Sequence, residues 1–171
     1  MTPPVFGVTG WKSSGKTTLA ARLVAELSKR GYGVTAIKHA HERFDIDHPG
    51  RDSYRLREAG ARRVIISSPK RWALMHELGD EPEIAFGQIL SEAGPCDLIL
   101  VEGYKRESFP KIEIRRDGAK SRQPLARTSP GIVAIASDRP GEEEDGLPIF
   151  HLDDVAGMTD FITGHLGLAQ R

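Results

Sequence analysis

The 171-residue chain carries 24 lysines and arginines against 24 aspartates and glutamates, so its formal net charge is zero at pH 7. This balance does not indicate nucleic acid or an anionic membrane as a partner, and the 39% of hydrophobic residues is typical of a globular protein that buries a core. The single cysteine, Cys96, excludes an internal disulfide framework and a cysteine-based zinc site.

A phosphate-binding pattern follows the first predicted strand, Val5–Thr9. The segment GWKSSGKT fits G-x-x-x-x-G-K-[ST] through Gly10, Gly15, Lys16 and Thr17. Glycines let successive backbone N–H groups point at a phosphate, a lysine pairs with the β- and γ-phosphates, and a threonine hydroxyl ligates Mg²⁺. A glycine- and serine-rich turn is the alternative, but the strand before it and the helix after it favour nucleoside triphosphate binding. The predicted binding residues of this loop are Gly10, Trp11, Lys12, Ser13, Ser14, Gly15, Lys16, Thr17 and Thr18.

The elements that follow alternate between helix and strand. Apolar periodicity predicts helices at 17–30, 52–60, 83–92 and 155–166, and strands at 33–38, 63–67, 98–101, 132–136 and 149–152. Asp52 is the predicted cap of the second helix, and the predicted core residues of the third are Ile84, Ile89 and Leu90. A fourth strand at 72–77 follows the third, 63–67, after a short turn, which predicts a hairpin and an antiparallel strand in an otherwise parallel sheet. The alternating segment KIEIR, 111–115, predicts an edge strand.

This order predicts an α/β fold of the three-layer P-loop NTPase type, with a mainly parallel sheet, helices on both faces and some antiparallel edge strands. We expect one nucleotide-binding domain over residues 1–171. The MTPP start does not fit a secretory signal and no run of 18 apolar residues occurs, so we expect a cytoplasmic protein. Ligands bind at the carboxyl ends of parallel strands, which places the phosphate loop, the segment 39–51, Glu102 and Asp138 at one edge.

Glu102 ends the apolar run LILVEG beside the predicted phosphate loop. A carboxylate there can hold Mg²⁺ or orient an attacking water, and Gly103 permits close backbone approach to a γ-phosphate. A surface carboxylate at a strand end is the alternative.

Two alternating carboxylates, Asp45 and Asp47, lie in the polar segment 39–51. They suit an extended piece with both acids facing the metal, and a solvated turn is the equally open alternative. For His39, His41 and His48, hydrogen bonding within the loop is favoured over metal ligation.

Asp138 ends the strand before SDRPG. Its carboxylate can accept hydrogen bonds from guanine N1–H and the exocyclic amine, which would make the ligand GTP. An aspartate that begins an ordinary turn is the open alternative.

Four segments resemble the molybdopterin-guanine dinucleotide biosynthesis adaptor (MobB) family. They are GVTGWKSSGKTTL, IKHAHERFDIDHPGRDSYRLREAGA, SSPKRWALMHEL and CDLILVEGYKRESFPKIEIRR. The resemblance covers residues 5–116 and implies a P-loop fold, GTP binding with weak GTPase activity, a homodimer, and association with the guanylyltransferase that attaches GMP to molybdopterin. Some related GTPases have a lysine directly after the first loop glycine; Trp11 stands there, and we do not assign Lys12 a trans-acting role.

The residue roles combine this resemblance with the motifs. Lys16, Asp47 and Glu102 are the predicted catalytic residues, and Thr17, Asp45 and Glu102 are the predicted Mg²⁺ ligands. Arg51, Gly103 and Asp138 complete the predicted nucleotide-binding set.

Two other functions stay open at this stage. A small-molecule kinase would use the same loop and needs a lid, for which residues 117–129 offer Arg122 and Arg127. A metal-delivery GTPase lacks the cysteine cluster expected of it. Basic residues after the polar segment and after Glu102, including Arg57, Lys105, Arg106 and Lys111, could hold a second anion such as the phosphate of molybdopterin, or form a solvated surface.

Overall fold

The computed structural model describes residues 2–40, 44–125, 128–142 (Glu142 by its backbone) and 146–171. Its strands are β1 (Val5–Gly10), β2 (Val34–Lys38), β3 (Arg63–Ser67), β4 (Trp72–His76), β5 (Leu98–Glu102), β6 (Lys111–Arg115), β7 (Ile132–Ser137) and β8 (Ile149–His151). Its helices are α1 (Lys16–Lys29), α2 (Asp52–Glu58), α3 (Phe86–Ser91) and α4 (Val155–His165), with a 3-10 turn at Pro140–Glu142. The fold is α/β, as the alternation of elements predicts.

The chain divides into two compact units. The larger comprises Met1–His39 with Leu90–Arg171, and the smaller comprises Ala40–Ile89. The sequence predicts one domain over the same length, and that assignment stays a prediction.

The larger unit is built on a six-stranded sheet of order β2-β5-β1-β6-β7-β8, in which every neighbouring pair is parallel. One face packs against α1 and α4. Alternate residues of the strands meet the apolar stripe of α1, Leu19, Leu23 and Leu27, which is buried as its spacing predicts. Met158 and Ile162 of α4 close the same core. Because the six strands of this sheet are parallel, their carboxyl ends lie at one edge of the sheet.

The predicted edge position of β6 is wrong. This strand lies between β1 and β7, and all five of its residues are buried. Its alternation is real, but the charged positions face protein instead of water: Glu113 pairs with Arg115 at 2.9 Å and accepts a hydrogen bond of 2.9 Å from the Leu125 amide. Lys111 is fully buried and donates to the carbonyl of Pro130 at 2.8 Å.

In the smaller unit, β3 and β4 form the predicted antiparallel hairpin, but as a separate two-stranded sheet and not as part of the main one. Helix α2 begins one residue after its N-cap, Arg51, so Asp52 lies in the first turn and not at the cap as predicted. Helix α3 is shorter than predicted, and Ile84, expected in the core, is exposed.

Candidate nucleotide-binding site

The loop between β1 and α1 presents an uncompensated helix N-terminus. Gly15, the N-cap of α1, has φ near +90°, a left-handed conformation that favours glycine. No side chain caps this helix and no acidic residue stands in its first turn, whereas Asp154 caps α4 through the Gly157 amide. The first amides and the positive dipole end of α1 are therefore available to an anion, and the binding of phosphate there stays a prediction.

Two side chains of the loop fit a bound phosphate. The Lys16 ammonium donates to the Trp11 carbonyl at 2.9 Å. Burial lowers the pKa of Lys16, and the charge of Lys105 lowers it further. The Ser14 hydroxyl is buried and has no hydrogen-bond partner among the described residues. A phosphate would supply the missing counter-charge for the lysine and an acceptor for the serine.

The predicted metal ligands of the larger unit lie next to each other. Thr17 Oγ1 donates to Glu102 Oε1 at 2.9 Å, and the ammonium of Lys38 lies 3.3 Å from Thr17 Oγ1 and 3.7 Å from Glu102 Oε2. Neutral and anionic oxygens suit Mg²⁺, which takes few protein ligands and completes its shell with phosphates and water. The pair Thr17 and Glu102 therefore fits this ion.

The backbone around Glu102 is tightly packed. Gly103 has φ of +104°, and a Cβ at this position would lie 2.9 Å from the Cβ of His39. The His39 amide donates to the Glu102 carbonyl at 2.9 Å, and its ring stacks on Tyr104 with 4.3 Å between centroids. These contacts hold the ends of β2 and β5 together and place Glu102 beside α1.

A cleft of about 300 Å³ adjoins the phosphate loop. Its lining includes Ser14, Gly15, Thr18, Arg116, Asp138 and His151. The cleft therefore brings Asp138 to the same side of the sheet edge as the loop.

Both carboxylate oxygens of Asp138 are engaged. Oδ1 accepts from Arg122 at 2.6 Å, and Oδ2 accepts from the Asp117 amide at 2.7 Å. Burial acts to raise the pKa of Asp138, but these hydrogen bonds outweigh it and the pKa is lowered. The side chain is thus a carboxylate at neutral pH, and a guanine that binds it has to displace or share these donors.

The segment after β6 is attached to the phosphate loop. The Trp11 indole N–H donates to the Gln123 carbonyl at 2.8 Å, and the Lys120 amide donates to the Lys12 carbonyl at 2.9 Å. Arg122, the arginine of the predicted kinase lid, contacts Asp117 and Asp138, and Arg127 lies outside the described residues. The segment holds the loop and the cleft together, and none of these contacts favours the kinase.

In the smaller unit, Asp45 and Asp47 both bind Arg57, at 3.0 and 3.3 Å, and Arg57 also pairs with Glu77 at 2.9 Å. The Asp47 amide and then Arg57 lower the pKa of Asp45. Asp47 is buried and accepts from Ser53 at 2.8 Å. The roles of Asp45, Asp47 and Arg51 toward metal or nucleotide stay predictions.

Several basic and histidine residues are placed differently from the open alternatives. Lys111 is buried and cannot join a basic rim, and Arg57 is committed to three carboxylates. Across the described residues, no group of three His, Cys, Asp or Glu side chains could hold a metal ion; His41 lies outside them.

None of the described helices has the length and apolar character needed to span a bilayer.

Sequence reasoning missed two site residues, Lys38 and Arg116. Each is the basic residue at or just after the end of a parallel strand, β2 and β6 respectively, which is the signal that could have found them.

Comparison with known proteins identifies one family. The family model described as "MobB: Molybdopterin guanine dinucleotide synthesis protein B" matches residues 5–138. The match spans the phosphate loop, Glu102 and Asp138.

Among curated proteins, the molybdopterin-guanine dinucleotide biosynthesis adapter protein of Escherichia coli is 40% identical over 161 residues, covering 93% of this chain and 91% of its own length. That of Haemophilus influenzae is 35% identical, covering 95% and 89%. Among solved structures, Bacillus subtilis MobB matches with a TM-score of 0.75 at 25% identity, covering 94% of this chain and 96% of its own. A Bacillus stearothermophilus MobB homolog matches with a TM-score of 0.71 at 26% identity, covering 95% and 97%.

Proposed function

The chain belongs to the MobB family of molybdopterin guanine dinucleotide biosynthesis adapters, and from this premise we propose that it binds GTP with Mg²⁺ and assists the guanylyltransferase of this pathway. The observation that carries the proposal is the approach of Thr17 to Glu102, 2.9 Å apart, at the uncapped start of α1. A P-loop lysine, a metal-binding hydroxyl and a carboxylate at one strand edge are the parts that nucleoside triphosphate binding needs.

GTP is the proposed nucleotide because of Asp138. Its carboxylate lies in the cleft beside Gly15 and Thr18, and two acceptor oxygens match the N1–H and amine of guanine. Adenine offers no such pair of donors.

Hydrolysis in this proposal is slow. Glu102 already accepts from Thr17 and lies near Lys38, so it is better placed to hold the metal than to activate a water. The nucleotide then acts as a switch or a supplied substrate for the guanylyltransferase. The assembly would work in the cytoplasm, where GTP is available.

Two further partners complete the proposal. Molybdopterin would contact, through its phosphate, the basic residues after Glu102 such as the exposed Arg106. A second copy of the chain would cover the apolar face of the hairpin, where Ile65 and Trp72 are 69% and 70% exposed.

The experiment is isothermal titration of the purified protein with GTP and with ATP in Mg²⁺, with phosphate release followed in the same samples. We expect a preference for GTP with very slow phosphate release, and retention of the purified guanylyltransferase on the GTP-loaded protein. A preference for ATP, or phosphate release that a small acceptor accelerates, would contradict the proposal.

A further inference from the structure

Lys38 lies beside both Thr17 and Glu102, the two predicted metal ligands of the larger unit. As the last residue of β2, it lies directly opposite Glu102 in the parallel pairing of β2 with β5. Opposite residues of paired strands project from the same face, so both side chains extend toward the start of α1. The Lys38 ammonium lies 3.3 Å from the Thr17 hydroxyl and 3.7 Å from the Glu102 carboxylate. The phosphate-loop motif does not include this lysine.

Pairing with Glu102 alone does not account for Lys38. Its side chain is 60% exposed, and an exposed ion pair at this distance contributes little to stability. Glu102 is only 12% exposed, so the mobile member of the pair is the lysine. A long flexible side chain above a nearly fixed carboxylate can change partners at little cost.

The charges around this position favour a polyanion. Burial is the main cause that lowers the pKa of Lys16; the nearby charges of Lys105 and Lys38 lower it further, while Glu102 opposes them. Three ammonium groups against one carboxylate leave an excess of two positive charges at the end of the phosphate loop. Such an excess is matched by the terminal phosphates of a nucleoside triphosphate better than by those of a diphosphate.

We propose that Lys38 is a second phosphate-binding lysine that shares Glu102 with the metal, an inference that rests on the proposed GTP binding. Mg²⁺ requires its ligands at about 2.0–2.1 Å and repels an ammonium, so Lys38 and the metal compete for Thr17 and Glu102. With Thr17 and Glu102 engaged by a metal, the Lys38 ammonium would be left to pair with the terminal phosphate. The residue thereby makes the site sensitive to the γ-phosphate.

The test compares GTP with GDP by calorimetry on the Lys38→Met variant, in excess Mg²⁺ and in EDTA. We expect the variant to lose about tenfold or more of its affinity for GTP and little of its affinity for GDP, because only GTP carries the contacted phosphate. Titration of Mg²⁺ into the GTP complex gives a second readout. There the variant should need less Mg²⁺ for half-saturation, since the competing cation is gone.

Two variants serve as controls. Lys29→Met removes the same charge from the far end of α1, where the side chain is exposed. This variant should keep the wild-type affinity for both GTP and GDP. Lys38→Arg keeps the charge and should retain most of the preference for GTP over GDP. Thermal unfolding of all three variants checks that the exposed substitutions leave the fold intact.

The outcomes separate this inference from the function it rests on. Wild-type protein that does not bind GTP would overturn both. Wild-type protein that binds GTP, together with a Lys38→Met variant that is unchanged or loses GTP and GDP equally, would overturn the role of Lys38 and leave GTP binding in place.

Discussion

Lys16 has the surroundings of a residue held ready for an anion. Its ammonium donates to the Trp11 carbonyl, and burial with a neighbouring lysine lowers its pKa. We predict that Lys16→Ala weakens GTP binding roughly 30-fold or more, because charge-assisted hydrogen bonds contribute about 2 kcal/mol. Calorimetry measures the affinity and thermal unfolding checks the fold. Lys29→Ala, on the same helix, is the matched control. A Lys16→Ala variant with unchanged affinity for GTP would contradict the phosphate-loop assignment.

Asp138 combines two tasks, because it holds Arg122 and the Asp117 amide and is also the proposed reader of the base. We predict that Asp138→Asn weakens the binding of GTP by about 2 kcal/mol and leaves the binding of ATP unchanged, since an amide cannot accept hydrogen bonds from both guanine donors. Competition binding of the two nucleotides measures this. Asp117→Asn, which removes another carboxylate partner of Arg122, is the control. Equal losses for both nucleotides would remove Asp138 from base recognition.

At the scale of elements, β6 is the strand whose observed burial differs most from the burial that its sequence predicts. Alternating charges in KIEIR are typical of an edge strand with one wet face. Here the charged face is covered by the segment that contributes Leu125 and Pro130, whose backbone groups satisfy Glu113 and Lys111. A buried charge that is paired or hydrogen-bonded is tolerated inside a sheet, and a local pattern cannot distinguish it from a solvated one.

The burial of Lys111 predicts a pH dependence of stability. Desolvation lowers its pKa from 10.5 to about 8 in the folded chain. Between these values the unfolded chain binds the proton and the folded chain does not, so this residue makes the folded state more stable as pH rises through that window. Relative to Lys111→Met, the wild type should gain roughly 1–3 kcal/mol in its free energy of unfolding from pH 8 to 10.5. Urea unfolding at several pH values measures the difference, and a difference that stays flat with pH would show that Lys111 titrates alike in both states. Lys29→Met, exposed on α1, should show no such slope.

At the scale of the molecule, exposed apolar residues concentrate in the smaller unit. Within the part of the chain that the structure describes, every exposed large hydrophobic side chain lies from Phe44 to Ile84. On the hairpin, the register pairs Ile65 with Leu74 and Ser67 with Trp72 on one face, while Val64 and Met75 are buried on the other. An apolar face of this kind marks an interaction surface.

If a second copy covers that face, a charge within it should separate the copies. We predict that Trp72→Glu converts the proposed homodimer to a monomer while GTP affinity is unchanged, because an unpaired carboxylate in an apolar interface is costly to desolvate. Sedimentation equilibrium measures the mass. Lys70→Glu, in the adjoining turn and exposed, is the control. A Trp72→Glu variant that still sediments as a dimer would exclude this face as the contact.

The sequence by itself determined the phosphate loop, the order of the elements and the edge where the site lies. The loop is a contiguous motif, strands and helices show their periods over neighbouring residues, and parallel strands bring their carboxyl ends together whatever their order.

Tertiary structure alone decided the position of β6, the commitment of Asp45 and Asp47 to Arg57, and the meeting of Lys38 with Thr17 and Glu102. These are contacts between different segments of the chain: Thr17 and Glu102 are 85 residues apart, Lys38 lies 21 from Thr17, and Arg57 lies 12 and 10 from Asp45 and Asp47. Which strands become neighbours depends on the burial of the whole sheet, and no local pattern encodes it.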